Sequence, residues 1–267
     1  MHEFLLRADQ VLKDHDYTVL YIGYYGAHNY NLADEKSDYD FKAVVLPNLR
    51  QCIKRESIST VIENEWGNID VKDLMTFANV VNKGNFSYIE TLNTPYFIDY
   101  GLNGLEHNPI RSIFADAQVN YMSMVGGIYE KFKAFSHQYP SKRAEFALYG
   151  CDPKQFMAAV RLYECLKFHA KYPDINVPFL KYANDDVIDL SEFYKLHGFP
   201  SSRKYIFTRE EFIQMKRKLI MDIAETQWIF ENISDTAKSL LPKDYKFVPN
   251  NYTDLITDLL VDYYTFC

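Results

Sequence analysis

Asp38 and Asp40 stand two apart in the run Asp38-Tyr39-Asp40-Phe41-Lys42-Ala43-Val44-Val45-Leu46, which Pro47 closes. In an extended strand that spacing puts both carboxylates on one face, about 6.5–7 Å apart along the backbone, with Tyr39 pointing the other way. Read without an obvious basic neighbour in the strand, the pair repels unless a divalent cation lies between its members. Mg²⁺ is the hard, oxygen-seeking ion that suits such a pair. The alternative is a strand start with solvated carboxylates. Asp70, in the short segment Asn68-Ile69-Asp70-Val71, adds a third oxygen ligand if its strand neighbours the first. Three carboxylates with nucleotide phosphates make a two-metal site for in-line phosphoryl transfer, with Asp70 on the side of the activated hydroxyl.

Upstream lies Gly26-Ala27-His28-Asn29-Tyr30, shortly after the apolar run Tyr17–Ile22, a predicted strand that ends at Gly23. Backbone N–H groups in such a turn can curl around a phosphate, and glycine removes the Cβ that would collide with it. Asp40 follows Gly26 by fourteen positions, room for a short helix or hairpin that sets the turn beside the carboxylates. His28 and Asn29 taken singly also read as ordinary turn polars.

The elements that must position these residues follow from periodicity. Residues 2–15 predict a helix with Phe4, Leu5, Ala8, Val11 and Leu12 on one side. Residues 58–63 and 69–71 alternate as strands, and Leu74, Phe77, Ala78 and Val81 repeat as a helix stopped near Gly84. Longer helical patterns follow at 109–136, 141–148, 153–171, 208–233 and 250–262, with a polar stretch at 172–188. Asp152-Pro153 and Thr208-x-x-Glu211 carry helix-start signals. The simplest partition is a mixed front part, 1–108, and a mainly helical rear part, 109–267, with a cleft at their seam.

The composition is that of a globular chain: 267 residues, 48% hydrophobic, 16% aromatic and 24% charged, which excludes disordered and collagenous classes. Such a length buries about three quarters of its surface on folding. The net charge of −7 argues against a broad DNA-coating surface but leaves room for a local basic pocket. Lys216-Arg217-Lys218, with Arg203 and Lys204 upstream, reads as a solvated helix face more readily than as an RNA contact. Cys52, Cys151, Cys165 and Cys267 form no C-x-x-C pair and read as reduced thiols. Met1–Asp16 is too charged for a signal peptide, and no run of 18 apolar residues occurs. A cytoplasmic protein with no membrane partner is expected.

Together, Gly26-Ala27-His28-Asn29-Tyr30-Asn31 and Ser37-Asp38-Tyr39-Asp40-Phe41 resemble the nucleotidyltransferases of the DNA polymerase β superfamily, and within it the predicted nucleotidyltransferases associated with RNA repair. Ile69-Asp70-Val71-Lys72-Asp73-Leu74 and Lys83-Gly84-Asn85-Phe86-Ser87-Tyr88-Ile89-Glu90-Thr91-Leu92 resemble that group's third-carboxylate strand and its Gly-Asn-x-x-x-x-Glu-x-Leu segment. The likeness covers about residues 17–98 well and 145–170 loosely.

It implies an α+β fold: a small mixed-sheet nucleotidyltransferase core with flanking helices, then a mainly helical C-terminal region completing the nucleotide cleft. It implies transfer of a nucleoside monophosphate from a nucleoside triphosphate, ATP among them, to an RNA or small-molecule acceptor, with Mg²⁺ or Mn²⁺. Asp38, Asp40 and Asp70 become the catalytic metal ligands. Gly26, Ala27, His28, Tyr30 and Ser37 become the nucleotide-side residues, with Asn85 or Glu90 as candidates to brace the cleft; Glu90 reads equally as a helix charge near the seam of the two parts. Lys154 and Arg161, seven apart on one side of a helix and so about 10 Å along it, face the polyphosphate; the alternative is a solvated Lys and a surface Arg.

Ala27 departs from the family's Ser or Gly and cannot donate the hydroxyl hydrogen bond that Ser would give a phosphate. A catalytically impaired nucleotide-binding or RNA-repair scaffold, or a transferase modifying a small molecule or a protein, therefore stands beside the RNA-directed enzyme.

Overall fold

The computed structural model describes residues 2–102, 109–172, 186–189, 206–219 and 221–266, and the chain divides into two compact units. The first comprises 1–30, 35–120 and 247–267, and the second 31–34 and 121–246. The rear of the chain thus returns to the front unit, where the sequence suggests a single division near residue 108.

The first unit is an α+β arrangement around a five-stranded mixed sheet of order β3-β4-β2-β1-β5. Its strands are β1 (Val19–Tyr25), β2 (Asp40–Val45), β3 (Ser59–Asn64), β4 (Gly67–Asp73) and β5 (Phe97–Asp99). β1 pairs antiparallel with β2 and β5, β2 pairs parallel with β4, and β3 closes the edge antiparallel to β4. β1 runs past the expected stop, because Gly23 is itself a ladder residue opposite Lys42 and Phe97.

Alternation along the strands sorts the two faces. Phe41, Ala43, Val45, Ile69 and Val71 form a buried cluster with Ile22, Tyr24 and the Leu5, Ala8 and Leu12 side of α1 (His2–Asp14). Lys42, Asp70 and Lys72 project from the opposite face. There α4 (Phe86–Leu92) packs on β1, and the Tyr21 hydroxyl donates to Thr91 O at 2.8 Å. Two helices lie between these layers in sequence, α2 (Leu49–Lys54) and α3 (Leu74–Asn82). Asp73 starts α3 by accepting from Thr76 N at 2.8 Å and also accepts from Ile58 N at 2.7 Å, so one carboxylate caps a helix and ties down the β3 approach.

The 109–136 pattern is two helices, α5 (Ile110–Ile113) and α6 (Tyr121–Ser136). The break between them serves the tertiary structure, since Asp116 there accepts from the Tyr252 hydroxyl at 2.5 Å. Likewise 208–233 splits into α9 (Arg209–Gln214) and α10 (Ile223–Ser239), the latter started by Asp222 accepting from Ala224 N at 2.8 Å. Both helix-start signals are present. Thr208 and Glu211 form a reciprocal capping box, and Asp152 accepts from Lys154 N at 3.0 Å at the head of α8 (Pro153–Lys171), which follows α7 (Arg143–Tyr149).

In the second unit α6, α8 and α10 pack together, with Phe230 stacked on Phe135 at 4.3 Å and tilted against Phe156 at 5.5 Å. A two-stranded antiparallel sheet joins β6 (Val187–Asp189) to β7 (Ile206–Thr208). Most of the 172–188 stretch, together with Arg203 and Lys204, lies outside the described residues.

The C-terminal helix α11 (Tyr252–Phe266) belongs to the first unit: Tyr252 N donates to Asn82 Oδ1 at 2.9 Å, Asn82 Nδ2 donates to Thr253 Oγ1 at 2.7 Å, and the Tyr264 hydroxyl donates to Pro47 O. Among the described residues no helix is long and apolar enough to cross a membrane. Cys52, Cys151 and Cys165 are free thiols.

Lys216 corrects the reading of the 216–218 cluster as a solvated helix face. It is 7% exposed, its Nζ donates to Leu32 O at 3.2 Å and lies 3.4 Å from Asp34, and Arg217 forks onto the same carboxylate at 3.0 and 3.1 Å. These cations follow α9 and fasten residues 31–34 into their own unit.

His169 on α8 is buried, and the Tyr121 hydroxyl lies 2.7 Å from its Nδ1. Burial pushes its pKa down to about 4. An unfolded histidine titrates near 6.5, so between about pH 4 and 6.5 the folded chain binds fewer protons than the unfolded one and stability falls as pH falls. Thermal melts from pH 7 to 4.5 are expected to show a shallower decline in His169→Gln than in the wild-type chain.

Candidate active site

The turn after β1 and the head of β2 meet. Gly26 has φ +85°, a left-handed conformation that glycine adopts at no steric cost, and a Cβ placed there would stand 3.0 Å from Asp40 Oδ2. The chain then winds through one tight turn, with Asn29 N donating to Gly26 O at 3.0 Å and Tyr30 N to Ala27 O at 3.2 Å. Fourteen positions of sequence thus separate two groups that lie side by side, since Tyr25 is the ladder partner of Asp40.

Within that turn the side chains have separate duties. The His28 ring stacks on Tyr39 at 4.0 Å and its Nε2 donates to Ser37 O at 3.0 Å, while Tyr39 stacks on Phe4 at 3.8 Å. His28, Ser37 and Tyr39 therefore brace the approach to β2 from the α1 side. Asn29 is fully buried and accepts from Thr94 Oγ1 at 2.6 Å. Tyr30 is 5% exposed and its hydroxyl donates to Glu90 Oε2 at 2.7 Å. Tyr30 and Glu90 are joined as a buried pair that ties the turn to α4.

Asp38 is exposed just before β2, and Asp40 opens the strand half-buried, accepting from Asn68 Nδ2 at 3.4 Å. The parallel pairing of β2 with β4 sets Lys42, two residues further on, directly opposite Asp70. Lys42 Nζ lies 3.1 Å from Asp70 Oδ2, Lys72 Nζ lies 3.3 Å from Oδ1, and the Tyr88 hydroxyl donates to Oδ2 at 2.5 Å. Lys72 reaches on to Ser59 Oγ at 2.9 Å. The Lys42 ammonium is also sandwiched by aromatic faces, 4.3 Å from the Tyr25 ring and 4.0 Å from the Tyr88 ring.

Burial acts to raise the Asp70 pKa, but the Lys42 charge, the hydrogen bonds from Tyr88 and Lys42 and the Lys72 charge together bring it below the ordinary carboxylate value. Lys42 is lowered by its burial, with Asp70 acting in the opposite sense. Tyr88 is raised, first by burial and then by its bond to the carboxylate.

Lys42 corrects the picture of a carboxylate strand without a basic partner. Asp40-x-Lys42 and Asp70-x-Lys72 each share a face by the two-residue strand period, so that signal was in the spacing; Asp38, expected on the same strand, lies before β2 begins. Tyr88 has no such local signal, since it arrives from α4.

For a cation, Asp38 and Asp40 are a suitable donor pair, because Mg²⁺ takes one or two carboxylates and completes its shell with water and substrate phosphates. Among the described residues no three His, Cys, Asp or Glu side chains are gathered as a metal cluster. Lys154 and Arg161 both sit on α8 in the second unit, Lys154 exposed in its first turn and Arg161 only 8% exposed, so the reading of Arg161 as a surface residue does not apply. In comparison with known proteins, no family model and no curated protein matches the chain.

Proposed function

We propose that the chain is a metal-dependent nucleotidyltransferase that moves a nucleoside monophosphate from a nucleoside triphosphate to a hydroxyl or phosphate acceptor, RNA among the acceptors. The observation that carries this reading is the seating of the Gly26 turn against Asp40. A phosphate-cradling turn and a cation-holding carboxylate serve one polyphosphate only if they are adjacent, and here the turn passes Asp40 in a left-handed conformation that glycine adopts without strain.

In the reaction the acceptor oxygen bonds to the α-phosphorus, the α–β anhydride bond breaks, and pyrophosphate leaves with the bonding pair while the proton of a hydroxyl acceptor passes to water. Asp38 and Asp40 would hold Mg²⁺, which neutralises phosphate charge and lowers the acceptor's pKa when bound. The 26–30 turn orients the phosphates, and Tyr30 with Glu90 keeps that turn rigid. The second reading, a nucleotide-binding scaffold of RNA repair, is favoured by Ala27, which lacks the hydroxyl of the family's Ser.

The test is incubation of the purified chain with each α-³²P nucleoside triphosphate and Mg²⁺ or Mn²⁺, with and without mixed RNA. Label transfer or pyrophosphate release that disappears with Asp38→Ala plus Asp40→Ala is the expected result. Nucleotide binding without turnover would instead support the scaffold.

A further inference from the structure

The disposition of Asp70 differs from that of a metal ligand awaiting its ion. Its carboxylate is enclosed by three donors: Oδ2 by Lys42 at 3.1 Å and Tyr88 at 2.5 Å, and Oδ1 by Lys72 at 3.3 Å. The two lysine side chains are 8% and 12% exposed, against 25% for Asp70 itself. Two ammonium groups with so little access to water need a counter-charge in place, and Asp70 is what both of them contact.

Lys42 cannot easily withdraw. Its strand neighbours pack into the core on the opposite face, and its ammonium is held between the rings of Tyr25 and Tyr88. Lys42 follows Asp40 by one strand period on the same face, and its ammonium reaches across to its register partner Asp70 at 3.1 Å. A fixed positive charge is therefore already seated against the Asp70 oxygen that a second divalent ion would need.

We infer that this is a one-ion centre, in which Asp38 and Asp40 hold a single divalent cation, the Lys42 ammonium supplies the second positive charge, and Asp70 is the positioning residue that anchors Lys42 and Lys72. This rests on the nucleotidyl-transfer reading for the nucleotide and the ion, and on the Lys42–Asp70–Lys72–Tyr88 contacts for the rest. A lysine at a charge-bearing seat needs no free metal, and it places a fixed charge by covalent attachment to the strand rather than by equilibrium binding.

The experiment is Mn²⁺ titration of the full chain saturated with the non-transferable analogue α,β-methylene-ATP, with bound ion counted by electron paramagnetic resonance, alongside thermal melts of the metal-free protein. One Mn²⁺ per bound analogue is expected for the wild-type chain. Asp40→Asn is expected to weaken Mn²⁺ at least about tenfold and Asp70→Asn no more than about threefold. Asp70→Asn leaves two buried ammonium groups short of their counter-charge and is expected to lower Tm by about 5 °C or more, and Lys42→Met added to it is expected to recover at least half of that loss.

If Asp70→Asn does not fold, the Lys42→Met plus Asp70→Asn chain carries the Mn²⁺ measurement. In the Lys42→Met chain, which keeps the Asp70 carboxylate, a second Mn²⁺ appearing per analogue would support Lys42 as the occupant of that seat, and one Mn²⁺ only would count against it. Two coupled Mn²⁺ in the wild-type chain, or equal loss of Mn²⁺ in Asp40→Asn and Asp70→Asn, would overturn the one-ion centre while leaving nucleotidyl transfer standing. A wild-type chain that takes up neither analogue nor Mn²⁺ would overturn both.

Discussion

Asp40→Asn is expected to slow nucleotidyl transfer by about a thousandfold or more while moving Tm by no more than about 3 °C. The substitution keeps the size of the side chain and an oxygen for Asn68, whose hydrogen bond is long at 3.4 Å, and removes only the charge. That charge faces the Gly26 turn, where in the proposed reaction a polyphosphate would lie, and the cation it would retain would be worth several kcal/mol in the transition state. About 4 kcal/mol corresponds to a factor of about a thousand. Asp38→Asn, at an exposed position before the strand begins, is expected to lose about ten- to a hundredfold. Initial rates of label transfer, with melts followed by circular dichroism, compare the two. Wild-type rates in Asp40→Asn would remove the carboxylate pair from the mechanism.

Gly67→Ala is expected to lower stability by about 3 kcal/mol or more, seen as a fall in Tm of about 10 °C. Gly67 opens β4 at φ +149°, and a Cβ there would stand 2.0 Å from Tyr39 O and 2.6 Å from its carbonyl carbon. These are backbone atoms with no rotamer to change, and Tyr39 N already donates to Trp66 O at 2.8 Å. Relief therefore requires β4 to move away from the approach to β2. Such a shift spreads to Asp40, the next residue after Tyr39, and to the Phe4–Tyr39–His28 stack. Gly126 on α6 supplies the control: a Cβ there would meet nothing within 4 Å, so Gly126→Ala is expected to be neutral or to stabilise by about 0.5–1 kcal/mol.

Much of the framework was legible because it follows local rules. The apolar side of α1, the alternation of β2 and β4 and the helix starts at Asp152 and Thr208 all depend on residues within a few positions of each other. The helix breaks at 114–120 and after Gln214 were not legible, since apolar periodicity continues across them. Asp116 leaves the helical path for the Tyr252 hydroxyl, a partner 136 residues away, and Asp222 starts a new helix through a cap that the periodic pattern obscured.

By itself, the sequence determined which side chains of a strand share a face: Asp40 with Lys42, and Asn68 and Asp70 with Lys72, because strand geometry repeats every two residues whatever the surroundings, whereas Asp38 lies before β2 begins and outside that rule. It also determined that a glycine turn precedes the carboxylates. Only the tertiary structure decided that β2 and β4 run parallel in the register that sets Lys42 opposite Asp70, 28 residues away, and that α4 brings the Tyr88 hydroxyl to the same carboxylate. Register and the approach of a helix are settled by packing the Phe41, Ala43, Ile69 and Val71 side of the sheet against α1, a balance summed over the whole core.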